Sequence, residues 1–170
     1  LLNAVLELFK EVIALRQDPP QEWRSTKLVV IFKKGDPCSA ANYRPIAILP
    51  ILYKLFSRIL CNRLQKFLIP HQSVDQAAYR KGFSTEDHLL VVALLIERSR
   101  EFNFPLWIGL VDFEKAFDTV EHAPLWQVLA DQGVPLHYIT LLRRLYHDQR
   151  ASVQAGVRSR TFTISRGVKQ

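Results

Sequence analysis

Residues 106–120 read LWIGLVDFEKAFDTV. The first eight of them form a short, almost unbroken apolar run, the pattern of a strand buried on both faces. A central strand is therefore expected at 106–113, with Asp112 near its C-terminal end. A buried carboxylate is costly there unless it is paired or holds a metal. Placed at a strand end before a turn, it can hold Mg²⁺ against a phosphate. Equally, it can cap the turn. Asp118 is expected to fix that turn or to cap the helix beyond it. A metal-dependent phosphohydrolase built on Asp112 would need Glu114 or Asp118 to converge on it.

The flanking pattern is mixed. Leu2, Val5, Leu6, Phe9, Val12 and Ile13 recur at helical spacing, and Pro19-Pro20 ends that helix. Residues 27–32 are β-branched and apolar, residues 33–37 (KKGDP) are turn chemistry, and a second strand is expected near 46–49. If residues 28–32 and 44–49 pair as an antiparallel hairpin, Lys33, Lys34 and Arg44 approach one another. A lysine and an arginine so placed make a clamp for a triphosphate. A basic hairpin with no specific ligand has the same sequence.

Residues 52–68 form the clearest helix. Its expected apolar face is Leu52, Leu55, Phe56, Ile59, Leu60, Leu64 and Phe67, opposite Lys54 and Arg58. Ser84 and Asp87 are spaced as a capping box for a helix running to about Arg100. Two helices follow, near 124–131 and 135–147, with Gly133 as a stop and Pro135 in a first-turn position. The alternation in 152–156 and 161–165 predicts a hairpin turning near 157–160. The fold class is therefore α/β in the broad sense (α+β).

The chain has 170 residues, 48% hydrophobic and 23% charged, which excludes a disordered polyelectrolyte. Its longest apolar runs, such as 89–96, fall far short of the roughly 18 residues a membrane span needs. Glu7, Lys10 and Glu11 break the opening apolar stretch, which is unlike a secretory signal. Two cysteines, Cys38 and Cys61, are too few for a disulfide framework and fit a reducing compartment. The five histidines have no zinc-ligand spacing with them. His122, beside Glu121 at a helix start, is expected to be structural.

The net charge of +7 is unevenly distributed. Residues 24–66 carry +8 and residues 143–170 carry +6, around a stretch 67–142 at −5. Two basic blocks flanking carboxylates suit a protein that holds a polyanion and keeps acids for a metal. There is no methionine, and Leu1 already lies inside an amphipathic pattern, so the chain reads as a fragment.

Read in order, these motifs resemble the reverse transcriptase of LINE-like non-long-terminal-repeat retrotransposons. Residues 23–36 resemble its first fingers strand. Asn42-Tyr43-Arg44-Pro45-Ile46, with Lys54 through Arg63-Leu64, resembles the NYRPI…K…RL motif. Residues 76–80 and 82–88 (GFSTEDH) resemble the next block, although Ala78-Tyr79-Arg80 stands where the family often has Gly-Phe-Arg. Residues 110–120 are very close to the first palm motif, and Arg166-Gly167-Val168-Lys169-Gln170 opens the motif that the family continues as GxxLSP.

The resemblance implies a right-hand polymerase fold, with a fingers-like region over 1–105 and a partial palm over 106–170, truncated before the YxDD motif. It implies RNA-directed DNA synthesis with two Mg²⁺ ions, an RNA template, a DNA primer and deoxynucleoside triphosphates, in an intracellular setting, nuclear and cytoplasmic. Asp112 would be the catalytic carboxylate, ligating metal together with the backbone carbonyl of Phe113. Lys33 or Lys34 and Arg44 would grip the triphosphate. Phe117 would exclude a 2′-hydroxyl, and Gln170 would contact the nucleotide. Lys54, Arg58 and Arg63 would follow nucleic acid. With one carboxylate, the chain alone is expected not to polymerise. Phe113 and the 161–165 strand are expected to be more exposed than in an intact enzyme. Two other readings use the same residues: a catalytically dead nucleic-acid-binding remnant, and a group II intron-like reverse transcriptase.

Overall fold

The computed structural model describes residues 1–169, with side chains for all of these but 41, 157 and 158. Two compact units are present, one formed by residues 1–69 and 115–169, the other by Pro70–Glu114. The expected division at residue 106 does not follow them. The reason is strand pairing, which carries the C-terminal part of the chain back to the N-terminal part.

In the first unit, helix α1 (Leu2–Ile13) buries Phe9 and Val12. A one-turn helix α2 (Gln21–Arg24) follows Pro19-Pro20 and buries Trp23. Helix α3 (Ile51–Leu68) buries Tyr53, Phe56, Leu60 and Leu64. That stripe is rotated from the expected one, since Leu52 and Leu55 are exposed and Tyr53 takes the inward place. The cause is an aromatic cluster. The Phe56 ring lies 4.8 Å from Trp23 and 5.2 Å from Phe9, and Tyr53 lies 5.8 Å from Trp23.

Helices α5 (His122–Asp131) and α6 (Leu136–Tyr146) complete the core with Trp126, Ile139, Leu141 and Leu145. Gly133, at φ +76°, ends α5 as expected, and Pro135 is the cap of α6 rather than its first residue. Arg144 ties α6 to the end of α1, donating to the Leu15 carbonyl and to Asp18, both at 3.1 Å.

The sheet is built on β1 (Ser25–Phe32). β2 (Tyr43–Ile48) pairs with it antiparallel, with Val29 opposite Ile46 and Ile31 opposite Arg44. On the other side β3 (Arg150–Ala155) runs parallel to β1, with Ser25 opposite Arg150. Two short strands, β4 (Val157–Arg158) and β5 (Phe162–Thr163), pair antiparallel with β3. The reversal after β3 falls at Gly156, earlier than the expected 157–160. Its φ of +76° is one that glycine adopts without strain.

The second unit contains helix α4 (Thr85–Glu101). The capping box is present: Ser84 accepts from the Asp87 amide, and Asp87 accepts from the Ser84 amide at 3.0 Å. The Arg80 guanidinium lies over the Phe83 ring and donates to the carbonyls of Ser73 and Gln76. The expected strand at 106–113 is absent. Among the described residues, 106–113 have no strand partner, and a single extended segment without a ladder is not a sheet. None of residues 70–114 is buried. Among the described residues, no helix is long and apolar enough to cross a membrane.

Candidate functional site

The cationic hairpin forms as expected and its turn is rigidly built. The Lys33 amide donates to the Asn42 carbonyl at 2.9 Å, extending the β1–β2 ladder by one residue. Inside the turn, Asn42 Nδ2 donates to the Asp36 carbonyl, the Cys38 amide donates to Asp36 Oδ1, and Tyr43 Oη donates to the Pro37 carbonyl, each at 2.9 Å. Because Arg44 stands opposite Ile31, strand alternation places Ile31, Lys33 and Arg44 on one face. Lys34 lies beyond the ladder, so Lys33 is the better match for Arg44. All three cations are exposed, and among the described residues none of them forms an ion pair.

The opposite face of β1–β2 carries Thr26, Leu28, Pro45 and Ala47. These residues line a cavity of about 160 Å³ together with Asp118 and residues 166–169. Thr26 is 4% exposed, and its hydroxyl has no hydrogen-bond partner among the described residues. The Lys33–Arg44 pair and this cavity therefore lie on opposite faces of one hairpin.

Next to the cavity, two stretches singled out by sequence are joined backbone to backbone. The Gly167 amide donates to the Val120 carbonyl at 2.8 Å, and the Val168 amide donates to the Phe117 carbonyl at 2.9 Å. Gly167 sits at φ +91°, and a Cβ there would stand 2.9 Å from the Asp118 carbonyl oxygen. His122 Nε2 lies 2.8 Å from the Gly167 carbonyl, which can only accept, so the imidazole donates. The turn over 115–119 is held by Thr119, whose hydroxyl donates to the Lys115 carbonyl at 3.2 Å. Asp118 does not cap α5, whose cap residue is Glu121. Phe117 is 36% exposed.

Lys169, which no sequence pattern singles out, is partly buried. Its Nζ donates to the Trp23 carbonyl at 2.6 Å and lies 4.5 Å from the Tyr53 ring centroid. Burial pushes its ammonium down from 10.5 to about 8. Burial also pushes the Tyr53 hydroxyl up to about 12, helped by Tyr146 and opposed by a hydrogen bond with Ser57. Tyr146 is likewise raised by burial. No local pattern marks Lys169, since the atoms around it come from distant parts of the chain.

Asp112 and Phe113 belong to the second unit and are exposed, Phe113 to 76%. The expectation of a buried carboxylate at a strand end is thus corrected: the segment forms no strand, and Asp112 is exposed. A carboxylate and a backbone carbonyl are hard oxygen donors, the type Mg²⁺ takes. Among the described residues no three His, Cys, Asp or Glu side chains converge to complete such a set.

Lys54 and Arg58, one turn apart on α3, border a groove of about 520 Å³ between α3 and α6, floored by Leu64, Leu142 and Tyr146. Arg63 does not join them and instead borders a separate cleft beside Leu6 and Lys10 of α1. Gln170 lies outside the described residues.

The profile of the family described as "Reverse transcriptase (RNA-dependent DNA polymerase)" matches residues 31–170. The Pol polyprotein of the R2 retrotransposable element of Popillia japonica is 30% identical over 168 residues, covering 95% of this chain and 23% of that protein. Two proteins of Drosophila melanogaster are each 28% identical. They are the probable RNA-directed DNA polymerase from transposon BS, with 88% of this chain and 17% of that protein covered, and the RNA-directed DNA polymerase from mobile element jockey, with 89% and 17%. The chain spans less than a quarter of the length of each of these relatives.

Proposed function

Since this chain belongs to the reverse transcriptase family, we propose that it supplies the fingers and the first part of the palm of an RNA-directed DNA polymerase from a non-long-terminal-repeat retrotransposon. The observation that carries this reading is the junction of residues 117–122 with 166–168. It brings the first palm motif and the opening of the next one into hydrogen-bonding contact across 45 residues of chain.

In this reading the triphosphate of a deoxynucleotide is gripped by Arg44 and Lys33. Arg44 offers a planar fork of donors and Lys33 a point charge. Both are exposed on one face of a hairpin whose turn is already ordered, so little freedom is lost when an anion arrives. Phe117 underlies the sugar and excludes a 2′-hydroxyl. Lys54 and Arg58 run along the backbone of the RNA template or DNA primer, a sequence-independent contact. Arg63, turned toward α1, has no part in that contact.

The family generally uses a divalent metal. We assign Mg²⁺ to Asp112 and the Phe113 carbonyl. When bound, the metal supplies positive charge against the oxygens of the transferring phosphate. Asp112 contributes one anionic oxygen donor and Phe113 a neutral one. That is too little to hold two ions, so the 170 residues alone do not extend a primer. The same reading places the protein where RNA templates are met, in the nucleus and cytoplasm.

Calorimetric titration of the 170-residue chain with a deoxynucleoside triphosphate and Mg²⁺ tests the clamp. Charge-assisted contacts contribute roughly 1.5–3 kcal/mol each, so Arg44→Ala lowers affinity by about tenfold or more. Equal affinity of the altered and unaltered chains refutes the assignment.

A further inference from the structure

His122 is not among the residues that sequence marks for chemistry, yet it makes a side-chain contact across the central junction. We propose that His122 is a positioning residue for Phe117, acting through Gly167, and that it thereby sets how strictly the chain prefers a deoxyribose over a ribose. The inference rests on the reading of Phe117 given above.

The geometry forms a short relay. His122 is the first residue of α5, and its ring is fixed from two sides. The Tyr146 ring stands edge-on with centroids 5.0 Å apart, and the Trp126 ring lies 6.1 Å away. An imidazole so held has little rotational freedom, and its Nε2 is aimed at the Gly167 carbonyl at 2.8 Å. Gly167 in turn donates to Val120 at 2.8 Å, and its neighbour Val168 donates to the carbonyl of Phe117 itself at 2.9 Å.

Gly167 also lies so close to Asp118 that a Cβ would meet its backbone at 2.9 Å. The segment 167–168 is thus pressed against 117–120, and His122 fixes its far side to the packed face of α5 and α6. Trp126 is buried in the core and Tyr146 packs against it, so the relay references Phe117 to the packed part of the unit. Removing the imidazole leaves the two backbone bonds but unties Gly167 from α5. The Phe117 backbone then has more room, and a ring with more room discriminates less between sugars.

The test uses the 170-residue chain with two variants. His122→Ala removes the donor, whereas His122→Gln keeps an N–H at nearly the reach of Nε2. Amide hydrogen exchange at Gly167 and Val168, followed by NMR, reads the junction. The ratio of affinities for a deoxynucleoside and a ribonucleoside triphosphate, with Mg²⁺, reads the sugar preference.

The expected result for His122→Ala is faster exchange at Gly167 and Val168 with unchanged exchange in β1 and β3. The sugar preference falls by about fivefold, the size set by one ordinary hydrogen bond. His122→Gln restores both readouts. Unchanged exchange at Gly167 and Val168 overturns the proposal, as does an unchanged preference. Exchange rising equally throughout the unit also overturns it, because His122 would then be structural only. If the unaltered chain binds neither triphosphate, the proposed function fails first and this inference falls with it. Retained binding with an unmoved ratio sinks the inference alone.

Discussion

Replacing Gly167 with alanine puts the junction of residues 117–120 with 167–168 under a defined load. Gly167 lies at φ +91°, and a residue with a Cβ held in that region costs about 1–3 kcal/mol. The added carbon would stand 2.9 Å from the Asp118 oxygen, 3.1 Å from its Cα and 3.2 Å from its carbonyl carbon. All three are backbone atoms, so no side-chain rotation relieves the contact and the two segments must separate. Separation breaks the bonds from Gly167 to Val120 and from Val168 to Phe117, each contributing about 1 kcal/mol. Together the cost is about 3–5 kcal/mol. Exchange of the Val168 amide should therefore accelerate by at least about a hundredfold. Gly156→Ala is the control. It shares a positive φ of +76° but has nothing within 4 Å of its added carbon, so it carries only the conformational cost. A Val168 amide as protected in Gly167→Ala as in the unaltered chain would refute the close-contact argument.

Three further outcomes follow from the same structure. Phe56→Ala empties the centre of the aromatic cluster and lowers stability by about 3–5 kcal/mol, read as a shift in the denaturant midpoint. Removing Lys54 and Arg58 together lowers the salt dependence of RNA–DNA hybrid binding by about 1.4–1.8 in log–log slope, whereas Arg63→Ala leaves the slope unchanged. Stability should also change with pH in two steps. Lys169 is held at about 8 when folded, so the unfolded chain carries more protons between about 8 and 10.5 and stability rises across that window. Above pH 10 the raised Tyr53 and Tyr146 reverse the sign, because the unfolded chain loses their protons first. Lys169→Met should abolish the rise, and an unaltered rise in that variant would count against Lys169 as its source.

What could be read in advance was what short stretches of chain decide. The Ser84–Asp87 capping box and the β1–β2 hairpin each close within a few residues, and both formed. The parallel pairing of β1 with β3 joins Ser25 to Arg150, and nothing in either segment names its partner. Residues 106–113 show the opposite failure. Their apolar run fits a buried strand, but a strand exists only with a neighbour to bond, and none of the described strands pairs with them. The inward face of α3 departs from the apolar pattern because Tyr53 counts as partly polar, while the rings around it reward an aromatic. In the site, Lys33 and Arg44 follow from strand alternation. His122 and Lys169 do not, because their partners, Gly167 and Trp23, lie 45 and 146 residues away.

The parallel pairing also governs the order in which the chain can fold. Ser25–Val29 of β1 leave the ribosome long before Arg150–Gln154 of β3. At usual synthesis rates the interval is on the order of ten seconds. Throughout it, β2 can close one side of β1 while the other side stays open to any extended chain nearby. Lys27 lies within that bare stretch, at the position that later stands opposite Ser152, and is exposed in the finished structure. A charge on a bare strand edge discourages a foreign strand from pairing there. Lys27 thus keeps the place for β3 during the seconds before it arrives.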